Sequence, residues 1–182
     1  MAKKGFSRAD WLEAALAVLE RDGVDGVKVD RIARELGISR SGFYWHFRNR
    51  ADFLDQLLEY WVHEFTGVVI NNPDIQQGRP EERLLKLIRM VDEYGLNRHD
   101  PAMVAWGECD PRVREVFDQV YATRVEFVGA IFSEIGFRGD DLGARTRMFV
   151  SYTSWEKRIF AGASKQQRLR WFKVLVDLLT RK

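Results

Sequence analysis

Residues 29–47 read VDRIARELGISRSGFYWHF, and this stretch decides the fold. Its first part carries apolar residues at the three- and four-residue spacing of one helical face: Val29, Ile32, Ala33 and Leu36. Gly37 follows where a helix should end, because glycine enters the left-handed conformation at little cost. Ser39 then stands where its hydroxyl can cap a second helix. The spacing predicts a helix-turn-helix, in which the second helix enters the DNA major groove.

Helical periodicity continues on both sides of this stretch, and no segment alternates as a half-buried strand does. A first helix begins at Ser7 and ends at Asp22-Gly23, and a long fourth helix runs from Asn49 past Val69. We expect an all-α fold of about nine helices, in which the fourth helix joins a three-helix N-terminal domain to a C-terminal helical body. The predicted domain boundary separates residues 1–48 from residues 49–182.

Composition limits the class of protein. The 182 residues include one cysteine, Cys109, so no disulfide can form within the chain. No apolar run approaches the ~20 residues of a membrane span, and the N-terminus lacks the apolar segment of a signal peptide. A cytoplasmic protein without membrane contact is therefore expected. The net charge is +3 over residues 1–50 and −1 over the remainder, so the basic excess accompanies the helix-turn-helix.

The segment Phe43–Arg50, FYWHFRNR, together with Gly23 and the helix-turn-helix, resembles the N-terminal signature of the TetR family of transcriptional regulators. The resemblance covers about Ser7 to Leu58. It implies a homodimer that binds a roughly palindromic operator in double-stranded DNA. It also implies control by a small molecule bound in the C-terminal body, with repression the commoner mode of action.

The recognition helix is predicted to run from Ser39 to about His46. Arg40 and Ser41 lie in its first turn and are expected to read bases, since arginine can bond two acceptors of guanine. Gly42 would let the backbone approach the duplex. The resemblance implies contacts with the DNA backbone from Tyr44, His46 and Arg50. The predicted DNA-binding residues are Lys28, Ser39, Arg40, Ser41, Gly42, Tyr44, His46 and Arg50. Trp45 could pack against the first helix or contact the DNA backbone, and packing is favoured.

Aromatic residues are frequent after residue 60. Most are expected to be core, but pockets between helices are also mostly apolar and aromatic. The predicted ligand-binding residues are Trp61, Phe65, Tyr94, Met103, Trp106, Tyr121 and Tyr152. Arg124 and Glu108 are the charged groups expected near such a pocket. The mix favours a small hydrophobic or aromatic ligand.

The last two helices carry more apolar residues than one helical stripe can bury, as in the run Val174–Val176. A homodimer formed through these two helices is therefore predicted. The alternative is a helix fully covered by its own subunit.

An enzyme is not expected. The three histidines are isolated, no catalytic motif is present, and neither a cofactor nor a metal site is predicted. The prediction is a DNA-binding regulator released from its operator by a ligand. The alternative is a helix-turn-helix regulator that is controlled by a protein partner or has no effector.

Overall fold

A computed structural model describes residues 6–182, none of which lies in a β-strand. The helices in chain order are α1 (Arg8–Gly26), α2 (Val29–Glu35), α3 (Arg40–Trp45), α4 (Arg50–Val62), α5 (Pro73–Gln76), α6 (Pro80–Tyr94), α7 (Asp100–Gly107), α8 (Pro111–Ile135), α9 (Gly139–Ile159) and α10 (Lys165–Thr180). The predicted all-α fold is confirmed. The short α5 lies inside the stretch 71–80, which contains two prolines and a glycine.

The first helix begins as the sequence predicts. The Ser7 side chain accepts from the Asp10 backbone N–H at 3.3 Å, and the Asp10 carboxylate accepts from the Ser7 N–H at 2.6 Å. This reciprocal pair is a capping box. Gly23 has a φ of 70°, which interrupts the helix at its expected end, but a further helical turn carries α1 on to Gly26.

The turn after α2 has the predicted geometry. Gly37 takes a φ of 68°, and the Ile38 N–H donates to the Ala33 carbonyl at 2.9 Å. The element that follows is a 3₁₀ helix, Arg40–Trp45, and not the α-helix expected from Ser39 to His46. Ser39 does not cap it, because its hydroxyl bonds the Ser41 hydroxyl at 2.7 Å. Short helical pieces often take this tighter form.

The long fourth helix is only partly α-helical. Asn49 caps it as predicted, accepting from the Asp52 N–H at 3.0 Å. The α-helical part ends at Val62, and the chain continues as a π-helical segment, His63–Gly67, followed by the turn Val68–Ile70. Such segments occur frequently at functional sites.

The described residues form two compact units. The first contains residues 6–63 together with His99–Phe117. Its helix-turn-helix is held by an aromatic cluster in which the Phe43 ring lies 5.5 Å from Trp11 and 5.2 Å from Phe53. These edge-to-face contacts add to the energy of apolar burial. The functional boundary between residues 48 and 49 stays a prediction.

The second unit contains Glu64–Arg98 and Asp118–Lys182. Helix α6 packs against α9 and α10. A buried ion pair joins Asp92 of α6 to Arg168 of α10, with Nε 3.0 Å from Oδ1. Phe132 and Phe149 are fully buried and bring α8 and α9 into contact, their ring centroids lying 6.1 Å apart.

Candidate nucleic-acid interface and ligand cavity

Helix α3 presents an exposed polar face because its other face is anchored in the aromatic cluster. Phe43 is fully buried, whereas Arg40, Ser41 and Tyr44 are exposed. This is the distribution that a recognition helix needs, since base-reading groups must project away from the protein core.

Arg40 is held in place by two neighbours. Its Nη2 donates to the Tyr44 hydroxyl at 2.8 Å, and its Nη1 lies 3.4 Å from the Asp30 carboxylate. The Tyr44 hydrogen bond and the Asp30 charge raise the pKa of the guanidinium above its ordinary value. All three side chains are more than half exposed. These contacts can therefore be exchanged for contacts with DNA at little cost.

The expectation that Trp45 packs against the first helix is wrong. Its side chain is 87% exposed. The buried residues Phe43 and Phe47 lie two positions away on either side, and residues two apart on a helix do not share a face. That spacing was the signal in the sequence. Trp45 is therefore a second exposed aromatic side chain, next to Tyr44 in the sequence.

Gly42 is not required by the packing of the protein itself. A Cβ atom placed there would meet only one atom of the Trp11 ring, at 3.8 Å, which is an ordinary contact. Its φ is not positive, so no backbone strain explains the glycine. The predicted close approach to DNA stays open as its reason.

Lys28 and His46 flank this face differently. Lys28 is exposed at the start of α2 and makes no side-chain capping bond there. His46 is half-buried, and its Nε2 lies 3.1 Å from the Phe6 carbonyl oxygen. Lys28 is thus available as a positive charge, whereas His46 already has a partner within the protein.

Arg50 is engaged with the backbone of the protein. Its Nε donates to the Val27 carbonyl at 2.9 Å and its Nη2 to the Val24 carbonyl at 2.8 Å. These carbonyls follow the kink in α1, and the Val24 carbonyl also accepts from the Val27 N–H at 3.1 Å. The geometry gives Arg50 a structural role, tying the start of α4 to the end of α1. Its predicted phosphate contact would require these bonds to be shared or broken.

The second unit contains an apolar cavity of about 50 Å³ that opens to solvent. The apolar lining residues are Phe65, Val69, Ile70, Leu87, Val91, Leu96, Phe127, Val128, Phe149 and Val150. The polar lining residues are Thr66, Asn97, Arg124, Thr153 and Ser154. A mostly apolar wall with a few polar groups is typical of a small-molecule site.

Of the predicted ligand-binding residues, only Phe65 lines this cavity. Trp61, Met103 and Trp106 are buried in the first unit, where they form part of its core. Tyr94 is 61% exposed, and Tyr121 and Tyr152 are half-buried without lining the cavity. Helical periodicity identified buried faces but could not tell which of them border an empty space.

Arg124 does line the cavity, as expected, whereas Glu108 is exposed in the first unit. The Arg124 Nε and Nη2 both donate to the Thr66 hydroxyl, at 3.1 and 3.0 Å. Its guanidinium also lies 5.1 Å from the centre of the Tyr121 ring. Thr66 belongs to the π-helical segment, so this contact connects the segment to α8.

Helices α9 and α10 each expose an apolar row. Met148 and Ile159 are 58% and 67% exposed on α9, and Val174 and Leu178 are 55% and 59% exposed on α10. Trp171 continues the second row and is 36% exposed. Apolar rows of this kind are typical of a surface that another protein covers.

Membrane-spanning helices and metal-binding groups are considered for residues 6–182, the part of the chain that the structure describes. No helix there is long and apolar enough to cross a membrane. No group of three or more histidine, cysteine, aspartate or glutamate side chains there could hold a metal ion.

Comparison with known proteins concentrates on the N-terminal segment. The family model described as bacterial regulatory proteins, tetR family, matches residues 12–57. The chain is 42% identical over 53 residues to the class A tetracycline repressor protein from transposon 1721 of Escherichia coli, an alignment that covers 29% of this chain and 24% of that protein. It is 38% identical over 68 residues to the HTH-type transcriptional regulator SrpR of Pseudomonas putida, covering 35% and 32%. The chain thus spans about a quarter to a third of these relatives.

Solved structures share the fold over nearly the whole chain. A transcriptional regulator from Rhodococcus sp. Rha1 superposes with a TM-score of 0.71 at 16% identity, covering 96% of this chain and 94% of that one. AibR in complex with isovaleryl coenzyme A and operator DNA gives 0.70 at 20% identity, covering 95% and 97%. FadR from Bacillus subtilis in complex with stearoyl-CoA gives 0.63 at 17% identity, covering 96% and 98%.

These findings agree with one another and with the geometry of α2 and α3. The matched segment contains the whole helix-turn-helix, including the exposed face of α3. The matched family consists of regulatory proteins, in agreement with the prediction that the chain is not an enzyme. Residues 12–57 therefore match the TetR family of bacterial regulatory proteins, and the chain as a whole shares the fold of solved transcriptional regulators.

Proposed function

We propose that the protein is a homodimeric transcriptional repressor that binds operator DNA and is released by a small hydrophobic ligand. The observation that carries the proposal is the exposed face of α3 within the matched segment. Its arginine, serine, tyrosine and tryptophan project from an element whose other face is buried in the aromatic cluster.

The contacts with DNA divide into two kinds. Arg40 and Ser41 read base edges, because arginine can bond guanine O6 and N7 together and serine can bond either base type. Lys28, Tyr44 and Trp45 contact the backbone, through an ammonium group, a hydroxyl and an indole N–H. Ser39, Gly42 and His46 lie close to the duplex. Arg50 supports DNA binding indirectly, because its bonds to the Val24 and Val27 carbonyls hold α4 against α1.

The exposed rows of α9 and α10 support the dimer. A dimer would cover both rows, and it would present two copies of α3 to the two half-sites of an operator. Dimeric helix-turn-helix proteins bind half-sites about 34–36 Å apart or at multiples of that distance. A monomer would contact one half-site and lose most of the affinity.

The apolar cavity supports control by a ligand. Two of the matched structures were solved with acyl-coenzyme A compounds, which carry apolar acyl chains. A ligand in the cavity would contact Phe65 and Thr66 of the π-helical segment. It can change DNA affinity only if it binds the DNA-free conformation more tightly than the DNA-bound one.

The test combines selection and release. The purified protein is mixed with randomised duplex DNA, bound molecules are sequenced, and compounds are screened for release of the selected duplex. An enriched, roughly palindromic motif and a hydrophobic releasing compound are expected. No enrichment at moderate salt would contradict the DNA-binding role. Enrichment without any releasing compound would favour control by a protein partner or the absence of an effector.

A further inference from the structure

Glu156 of α9 is a buried carboxyl group with an unused acceptor. The residue is 4% exposed, and its Oε1 has no hydrogen-bond partner within residues 6–182. Burial raises the pKa of this carboxyl above its ordinary value. A buried acceptor without a partner is costly, and native structures retain few of them. Such a group needs either a solvent molecule or a ligand.

The nearby cations are committed to another carboxylate. The Arg168 Nε donates to Asp92 Oδ1 at 3.0 Å, and its Nη1 donates to the Ala163 carbonyl at 2.7 Å. The Lys157 Nζ donates to the Asp92 carbonyl at 3.3 Å and lies 3.9 Å from Asp92 Oδ1. Arg168 and Lys157 therefore both contact Asp92, and neither is hydrogen-bonded to Glu156.

A small cavity lies beside Glu156. Its lining residues are Ile88, Val91, Asp92, Asn97, Thr153, Glu156, Lys157 and Phe172. Three of these, Val91, Asn97 and Thr153, also line the larger apolar cavity. The two cavities are thus neighbours that share a wall, and a molecule in the larger one can reach the smaller one by displacing these side chains.

The shared wall cannot satisfy Glu156 itself. The Asn97 side-chain amide donates to the carbonyls of Thr153 and Ser154, at 2.8 and 3.1 Å. The Thr153 hydroxyl donates to the carbonyls of Phe149 and Val150, at 3.0 and 2.9 Å. Both polar groups direct their donors at the backbone, so neither of them donates to Glu156.

We propose that Glu156 is a polar subsite for a hydrogen-bond-donating group at the end of the ligand that fills the apolar cavity. This rests on the proposed ligand-binding function and narrows the class of ligand. The ligand has an apolar body and a terminal hydroxyl or ammonium group. A ligand ending in a carboxylate is excluded from the subsite, because its charge would face both Glu156 and Asp92.

The probes are three molecules that share one six-carbon chain: 1-hexanol, hexylamine and hexanoate. Their binding to the full-length protein is measured by calorimetry at neutral pH. Since a hydrogen bond to a charged group is worth about 1.5–3 kcal/mol, the better of the two donors should bind at least about tenfold more tightly than hexanoate. Comparison of the alcohol with the amine identifies which donor the subsite takes.

Two variants test whether Glu156 causes the preference for a hydrogen-bond donor over hexanoate. Glu156→Met removes the acceptor at similar size and should bring all three affinities within about threefold. Glu156→Gln keeps an acceptor but removes the charge, so it should weaken hexylamine more than 1-hexanol, and it also serves if the methionine variant does not fold. The control is Glu126→Met on the exposed face of α8, which should leave the preference unchanged.

Failure of the subsite can be told from failure of the cavity. If all three compounds bind equally, or if the donor preference survives in both Glu156 variants, the subsite is refuted while the cavity remains a ligand site. If none of the three binds, the subsite is refuted and control by a ligand in this cavity loses its support, whereas the DNA-binding role, which the selection experiment tests, is unaffected. A marked loss of thermal stability in Glu156→Met would show that the carboxyl is an internal structural contact, which also refutes the subsite.

Discussion

Replacement of Arg50 by alanine should destabilise the protein without changing how its DNA affinity depends on salt. The guanidinium makes two hydrogen bonds to backbone carbonyls, at 2.9 and 2.8 Å. Hydrogen bonds from charged donors contribute about 1.5–3 kcal/mol each, but the residue is exposed and water can replace part of the loss. We expect the free energy of unfolding to fall by about 1–2 kcal/mol in total.

The measurements are denaturant unfolding of the DNA-free protein and DNA titration at several salt concentrations. A loss of 1–2 kcal/mol should lower the melting temperature by roughly 2–8 °C in a chain of 182 residues. The salt slope should stay constant, because no phosphate contact is removed. Each true phosphate contact contributes about 0.9 to that slope.

Arg48→Ala is the matched control. Arg48 is also exposed, and its backbone N–H, which alanine retains, donates to the Asp52 carboxylate at 2.8 Å. Its side chain makes no hydrogen bond to the carbonyls that Arg50 contacts, so stability should change little. If Arg50→Ala instead leaves stability intact and lowers the salt slope by about one, the structural role of Arg50 is wrong and the phosphate contact predicted from the sequence is right.

Three further changes test other parts of the structure. Arg40→Ala should relax base preference at one position by about 1–3 kcal/mol in a selection from random duplex, and an unchanged motif would show that Arg40 is not a base reader. Leu178→Glu should raise the dimer dissociation constant at least about tenfold in sedimentation velocity, since it buries an unpaired charge, whereas Lys173→Glu on the same helix should not. Glu156→Gln should stabilise the protein near pH 7. Because burial raises the pKa of Glu156, the folded state holds the proton more tightly than the unfolded chain. The contribution of Glu156 to stability is therefore lost as pH rises through that pKa, and the stability gained by Glu156→Gln should shrink towards pH 4. A gain in stability that is independent of pH would refute this.

The helix-turn-helix was predictable because its determinants are local. The glycine at position 37, the cap at Asn49 and the capping box at Ser7 each depend on residues within a few positions. The 3₁₀ form of α3 was not predictable, since an α-helix and a 3₁₀ helix of six residues share almost the same apolar spacing.

The residues that line the apolar cavity were harder to predict from the sequence. Trp61 and Trp106 are aromatic residues at helical spacing, as pocket residues often are. Both are buried in the core of the first unit. Thr66 and Asn97 line the cavity without any local signal. An empty space depends on how distant helices fit together, and periodicity within one helix carries no information about that fit.

The role of Arg50 shows a similar limit. The resemblance to the TetR family implied a phosphate contact from the basic residue at the start of α4. In the structure this residue bonds the carbonyls of Val24 and Val27, which follow the kink at Gly23. The kink and the arginine lie 27 positions apart in the sequence. Only the folded chain shows that they belong to one contact.

The unequal exposure of the tryptophans gives the protein its own optical reporters. Trp11 and Trp61 are fully buried and Trp106 is 5% exposed, so their emission should be shielded from an aqueous quencher such as iodide. Trp45, at 87% exposed, and Trp171, at 36%, should account for most of the quenchable emission, with a smaller part from the half-buried Trp155. Trp45 lies on the proposed DNA-binding face and Trp171 on the proposed dimer face. With the other residue replaced by phenylalanine, each would report a different association event without an attached dye.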